Sequence, residues 1–144
     1  MAIPIPDRIF GTVLTAHQWL YERSGGRIGA SLAGRPMLLL RTVGAKTGAS
    51  RTAALLYVRD GDDYAVIASK GGDDRHPGWY HNLLADPDVE IQVGTDTVPV
   101  RAVVAEGERR QQLWDAADEV NKGQYTTYQS RTDRQIPVVV LTPR

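Results

Sequence analysis

The sequence predicts an α+β fold, a small barrel of about six mostly antiparallel strands with one helix ahead of it and two more among the later strands. Three observations predict it. From residue 36 onward, apolar or alternating runs follow one another, separated by turn residues. Asp60-Gly61 joins two of these runs and Gly94-Thr95-Asp96 joins two more, a hairpin chemistry that makes the joined strands antiparallel. Only three stretches carry helical periodicity, whereas a doubly wound sheet needs a helix between most of its strands.

Asp7 opens the first helix, 7–24, in which Ile9, Val13, Ala16 and Leu20 form one stripe and Phe10, Leu14 and His17 the next. Gly25, Gly26 and Gly29 break it, and a flexible joint runs to Gly34. Strands follow at Pro36–Val43, Thr52–Arg59 and Asp63–Ser69. The Gly71-Gly72 pair ends the last of these, and Pro77, whose φ already suits a helix, opens a second helix. Val89–Gly94 and Thr97–Ala105 make the second hairpin. A third helix spans about 107–122, with Leu113, Ala117 and Val120 on one face and Gly123 as its stop. Ile136–Leu141 is the closing strand. With no repeat or low-complexity tract, the chain reads as one domain, 1–144, of which 1–34 is the helix and its joint.

Composition excludes several classes. Lys+Arg and Asp+Glu both number 17, so the chain lacks the basic surplus of a nucleic-acid binder. It has no Cys, which excludes a disulfide framework, a thiolate zinc site and a Cys nucleophile. His17, His76 and His81 are isolated and lack metal-ligand spacing, so no metal is expected. The longest apolar run, Ala53–Val58, is far short of the ~20 residues of a spanning helix. The start, MAIPIPDR, has no secretory pattern, and the expected location is cytoplasmic. The first helix reads as a lid on the core. Phe10, Trp19 and Tyr21 also suit a lipid interface, which would place the protein peripherally on the inner face of the membrane, although few basic residues accompany them.

Two stretches carry chemistry. In Lys70–Leu83, KGGDDRHPGWYHNL, a Gly pair allows close backbone approach and a helix N-terminus offers unpaired N–H groups beside Lys70, the usual place to hold an anion. Gly44–Arg51, GAKTGASR, is a tight turn between strands that presents Lys46 and Arg51. It is no Walker A loop, because Ala45 precedes the Lys and a strand follows. From Arg35 to Arg59 there are five basic residues and no acidic one, a local polarity that fits a bound anion. The Asp60-Gly61 turn sets the start of one strand beside the end of the next, so Lys46, Arg51 and Lys70 can gather at one rim. Charge-assisted hydrogen bonds contribute roughly 1.5–3 kcal/mol each, and three of them would anchor a flat, anionic cofactor.

RTVGAKTGASR, the apolar strand after it, ASKGG, PGWYHNL, ADPDVEIQVG and the terminal YQSRTDRQIPVVVL resemble, in that order and over about residues 35–144, the deazaflavin-dependent nitroreductase family of actinobacteria. The resemblance implies a split β-barrel, related to that of FMN-binding reductases, and coenzyme F420, an 8-hydroxy-5-deazaflavin with a ribityl phosphate and a γ-glutamyl tail. It implies phosphate and tail contacts from Ala45, Lys46, Thr47 and Arg51. The backbone of Thr52, Ala53, Ala54, Leu55 and Leu56 would run along the cofactor. Ile67, Ala68, Ser69 and Lys70 would pass near its ring and phosphate, and Gly78, Trp79, Tyr80, His81 and Asn82 would complete the site at the helix start. Tyr125 and Tyr128, three apart after Gly123, would wall the substrate pocket, with Tyr125 also touching the cofactor and Ser69 orienting the substrate. These three are the expected catalytic residues. Some members carry another aromatic one turn earlier, where this chain has Lys122, which points to an acceptor smaller or more anionic than a bulky nitroimidazole.

The reaction this implies is hydride transfer from reduced F420 to a small electrophilic acceptor, such as a quinone, a nitroaromatic or an activated enone. The proton follows from solvent or tyrosine, and no nucleophile–base pair is needed because the cofactor carries the hard chemistry. Two other readings use the same basic rim: a non-catalytic deazaflavin carrier, and an FMN-dependent reductase on the same barrel. Against FMN, Lys46 and Arg51 favour a longer polyanionic tail. The chain is expected to be a monomer or a homodimer, depending on how an exposed strand edge is capped.

Overall fold

The computed structural model describes residues 16–27, 29–32 and 34–144. Helix α1, at 16–23 within these residues, is followed by β1 (Ser31–Leu32), β2 (Arg35–Val43), β3 (Ser50–Leu56), β4 (Val58–Asp60) and β5 (Asp63–Ile67). A 3-10 turn at Lys70–Gly72 leads to α2 (Gly78–Ala85), β6 (Asp88–Val93), β7 (Asp96–Val104), α3 (Gly107–Val120), α4 (Gln124–Gln129) and β8 (Val138–Pro143).

All described pairings are antiparallel, in the order β1-β2-β6-β7-β8-β5-β4, with β3 on the other side of β2. Only Tyr57 separates β3 from β4, so one stretch of chain pairs with β2 at its start and with β5 at its end. That shared stretch closes the sheet into a barrel of six staves, as the strand pattern predicts. The break at Tyr57 was not legible, because Leu55-Leu56-Tyr57-Val58 is apolar throughout.

Period-two alternation divides the strands between two cores. Leu38, Leu40, Tyr64, Val66, Val89, Ile91, Val100, Val139 and Leu141 meet in the cluster to which every stave contributes, the barrel interior. Leu83 of α2 joins them, with Trp79 and Tyr80 packed alongside, and so closes one mouth. On the other face Met37, Leu39, Ala65, Ile67, Val138 and Val140 pack under Leu113 and Ala117 of α3 and Tyr125 of α4. β2 and β8 are therefore buried on both faces, which is why each reads as an unbroken apolar run. Burying each such Leu, Ile or Val stabilises the fold by about 1.5–3 kcal/mol before entropy is counted.

Other boundaries moved for local reasons. β5 stops at Ile67 because Lys70, Gly71 and Gly72 take positive φ of 46, 63 and 85°. β8 starts at Val138, two residues late, because the Ile136 N–H donates to Gln129 Oε1 and its carbonyl accepts from Arg110. Gly123, at φ 80°, ends α3 as expected by donating its N–H to Asp118 O at 2.8 Å, and a short further helix, α4, starts directly after it. The 7–15 portion of the first helix, including Phe10 and Leu14, lies outside the described residues. Among the described residues no helix is long and apolar enough to cross a membrane. The joint after α1 is packed down: a Cβ on Gly26 would sit 1.5 Å from the Gly94 carbonyl oxygen, and the Met37 N–H donates to the Ala30 carbonyl.

Candidate functional site

β2 and β3 are joined by residues 44–49, which fold back on themselves. The Gly44 N–H donates to Ala49 O at 2.7 Å and the Gly48 N–H to Gly44 O at 2.8 Å. Gly48 supplies the required positive φ of 70°, and Thr47 Oγ1 accepts from Ala49 N at 3.2 Å. The Ala45 N–H is claimed by Asn82 of α2, whose side-chain carbonyl lies 2.9 Å away and whose amide donates to Thr42 Oγ1 at 3.0 Å. The N–H groups of Lys46 and Thr47 find no acceptor among the described residues. Lys46 and Arg51 are exposed, with no carboxylate within ion-pair distance among those residues.

Helix α2 points its start at this loop. Its N-cap is Pro77, which has no N–H and makes no side-chain cap. The first-turn N–H groups of Gly78 and Trp79 are thus free to meet an anion, while that of Tyr80 turns back to Pro77 O. Between the loop, the start of β3 and this helix turn lies a cleft of about 690 Å3. Ala45, Lys46, Thr47, Arg51, Thr52 and Ala53 line one side, and Gly78, Trp79, His81 and Asn82 the other, with Thr42 and Gly44 at the base of the loop.

Below the cleft the barrel is split. Tyr57 N donates to Pro36 O, so the odd residues of β3 face β2 and the N–H and C=O groups of Thr52, Ala54 and Leu56 face away from it. Carrying the β4–β5 register past Val58↔Ala65 sets Leu56 opposite Ile67, Ala54 opposite Ser69 and Ala53 opposite Lys70, yet no ladder forms there. Gln18 of α1 donates to the outward Thr52 carbonyl at 3.2 Å. Ala54, Leu56, Ile67, Tyr125 and Tyr128 share one apolar cluster, so α4 brings both tyrosines against the walls of this split. The tyrosine rings stand 6.3 Å apart, edge to face.

The structure thus gathers ten of the sequence-named residues at the cleft and five more along the split. Ser69 is half-buried and Lys70 exposed on the facing wall, while Ala68 is fully buried. The side chains of Leu55 and Tyr80 pack toward the barrel interior, Tyr80 with His76 4.6 Å from its ring. Tyr125 is only 6% exposed, and burial, helped by Tyr128, pushes its phenol well above the ordinary tyrosine value. Burial also lowers His76, helped by Arg134 and His81. Thr42 was not named from sequence, and Gly44 was named only as the start of the turn. Thr42 lies within β2, one residue before its end, with its hydroxyl buried, and a Cβ on Gly44 would press to 2.8 Å from Thr47 Oγ1.

Residues 13–143 match the family model of the F420H(2)-dependent quinone reductases. The chain belongs to that family. Within it, an F420H(2)-dependent quinone reductase of Mycobacterium tuberculosis is 53% identical over 135 residues, 92% of this chain and 91% of the relative. Among solved structures, an F420-H2 dependent reductase (FDR-A) is 42% identical with a TM-score of 0.68, over 77% of this chain and 97% of that one. Another, described as a domain-swapped dimer, is 38% identical with a TM-score of 0.69, over 88% of this chain and 98% of that one. Both carry the fold described above.

Proposed function

We propose that this chain binds coenzyme F420 across the cleft and the split and reduces a quinone. The observation that carries the reading is the cleft itself. It has two cations without an ion-pair partner among the described residues, Lys46 and Arg51, and two sets of N–H groups without an acceptor among them, at one end of an open strand edge. Those donors fit the phosphate and carboxylates of F420, and the apolar split below fits a flat ring. The family is named for F420H2, and FMN draws no support from it. Relatives named as reductases place the chain among enzymes rather than carriers.

When bound, the reduced deazaflavin supplies the hydride. The protein's part is positional. Lys46, Arg51, the Lys46 and Thr47 N–H groups and the start of α2 hold the anionic end. The outward groups of Thr52, Ala54 and Leu56 offer hydrogen bonds along the edge, and Ile67, Ala68 and the tyrosines exclude water. Tyr125, with its phenol held protonated by burial, can donate a hydrogen bond to an acceptor oxygen but gives up its proton reluctantly. Tyr128, half-buried and hydrogen-bonded to Gln124 Oε1 at 3.2 Å, lies nearer solvent and suits proton delivery better. Ser69, half-buried on the opposite wall, would orient the acceptor.

Titrating the protein with reduced F420 and then adding menadione tests this. Binding, with oxidised deazaflavin absorbance returning faster than without protein, is expected. Absence of binding would sink the cofactor assignment, and binding without reoxidation would sink the quinone assignment.

A further inference from the structure

The wall that carries Ser69 and Lys70 is held from outside. Ser69 is right-handed at φ −81 and ψ −39°, and Lys70, Gly71 and Gly72 follow at positive φ. Lys70 is the unusual member, since an L-residue is disfavoured there. Within the turn, two bonds support it: Gly72 N to Ser69 O at 2.9 Å and Asp73 N to Lys70 O at 3.1 Å. The rest of its support comes from two arginines far along the sequence: Arg131 donates through Nη1 to Gly71 O at 3.2 Å in the middle of the turn, and Arg134 holds its two ends. Arg134 donates through Nη2 to Ser69 O at 2.8 Å, through Nη1 to Ala68 O at 3.3 Å and through Nε to Asp73 O at 2.7 Å. A single planar fork therefore grips both ends of the left-handed stretch, a geometry that lysine cannot reproduce.

Arg134 is itself tied to the tyrosine helix. Gln129, the last residue of α4, donates to Arg134 O at 2.7 Å and accepts from Ile136 N at 2.9 Å. Gly72 presses so close to α4 that a Cβ there would lie 2.5 Å from Tyr128 O. We propose that Arg134 is a positioning residue for the acceptor end of the site, fixing the Ser69–Lys70 wall against the helix that carries Tyr125 and Tyr128. Its functional consequence rests on the F420 reading above; the latch itself does not.

The test uses the full chain with Arg134→Ala and Arg134→Lys. In cofactor-free protein, the Gly72 and Asp73 amides should exchange with solvent about tenfold faster in Arg134→Ala, while the Leu38–Leu40 amides in the core keep their protection. With F420, Lys70→Ala should weaken binding about fivefold in the native background and less than twofold in Arg134→Ala, since coupled residues are not additive. Arg134→Lys keeps the charge without the fork and should lie between the two; should Arg134→Ala fail to fold, Arg134→Lys carries both comparisons. Unchanged exchange at Gly72 and Asp73, or a Lys70→Ala effect equal in both backgrounds, would overturn the proposal. If the native protein bound no F420, the cofactor reading would fall while the exchange result still decided the latch.

Discussion

Asn82 and Ala45 are 37 residues apart in sequence, and the Asn82 side-chain carbonyl accepts the Ala45 N–H at 2.9 Å. With the second bond to Thr42, one buried amide joins the helix that aims its free N–H groups at the cleft to the loop that presents Lys46. The two halves of the anion site are thereby placed relative to each other by a residue with no charge of its own.

Asn82→Ala is accordingly expected to cost about 1 kcal/mol of stability or somewhat more, since it leaves the buried Thr42 hydroxyl and the Ala45 N–H without their partner. It should also weaken F420 binding more than a surface change of equal destabilisation does. Denaturant midpoints together with fluorescence titration separate the two effects. Unaltered affinity in a folded Asn82→Ala protein would show that the clasp does not set the site.

Lys46→Ala and Arg51→Ala remove charge without removing packing, because both side chains are exposed. Each is expected to weaken F420 binding about tenfold at low salt, within the range of a charge-assisted hydrogen bond, and to leave the thermal midpoint nearly unchanged. The loss should shrink as ionic strength rises and the Debye length falls below ~10 Å. Affinities measured at two salt concentrations check both statements.

The two tyrosines should behave differently. Tyr125→Phe removes a buried hydroxyl and is expected to change stability by less than about 1 kcal/mol. It should cut the menadione rate while leaving F420 affinity within about threefold, as expected for a group acting on the acceptor. Tyr128→Phe, nearer solvent, is expected to cut the rate further at high pH than at low pH if it delivers the proton. Steady-state rates across pH for both variants decide this.

The barrel was legible because its hairpins are local. Asp60-Gly61 and Gly94-Thr95 state their turns in two residues, and the pairings Asp60↔Asp63 and Val93↔Asp96 follow. The cleft was legible because its donors lie in two short stretches, 44–53 and 78–82. What was not legible depends on distant pairs. Gly26 reads as a helix breaker, yet its lack of a Cβ is demanded by Gly94 on another hairpin. Asn82 reads as one more polar residue of a helix start, and Arg134 as one more charge near the C-terminus. The resemblance runs the backbone of Leu55 along the cofactor and sets Tyr80 at the helix start; that strand alternation and helix packing turn both side chains toward the barrel interior is visible only in the fold.

His76 gives a pH dependence whose sign follows from its contacts. Its Nδ1 lies 3.1 Å from Arg134 Nη1 and accepts from it, which requires neutral imidazole. Tyr80 and His81 pack on its ring, so burial first, then Arg134 and His81, hold its pKa below the ordinary value of 6.5. In the unfolded chain His76 takes up its proton near 6.5, so below that pH the unfolded state binds more protons than the folded one. The stability due to neutral His76 is therefore fully present above 6.5 and is lost as pH falls from there through the folded-state pKa. Asp73, beside it, is also held low, mainly by the Arg75 N–H, but its loss comes at the lower pH of carboxylate titration. Between pH 7 and 5, chemical denaturation of the native chain should thus show stability falling more steeply than in His76→Gln, which cannot titrate. Equal slopes would mean that His76 takes up its proton at the same pH in the folded and unfolded chain, and that the contact with Arg134 does not hold it neutral.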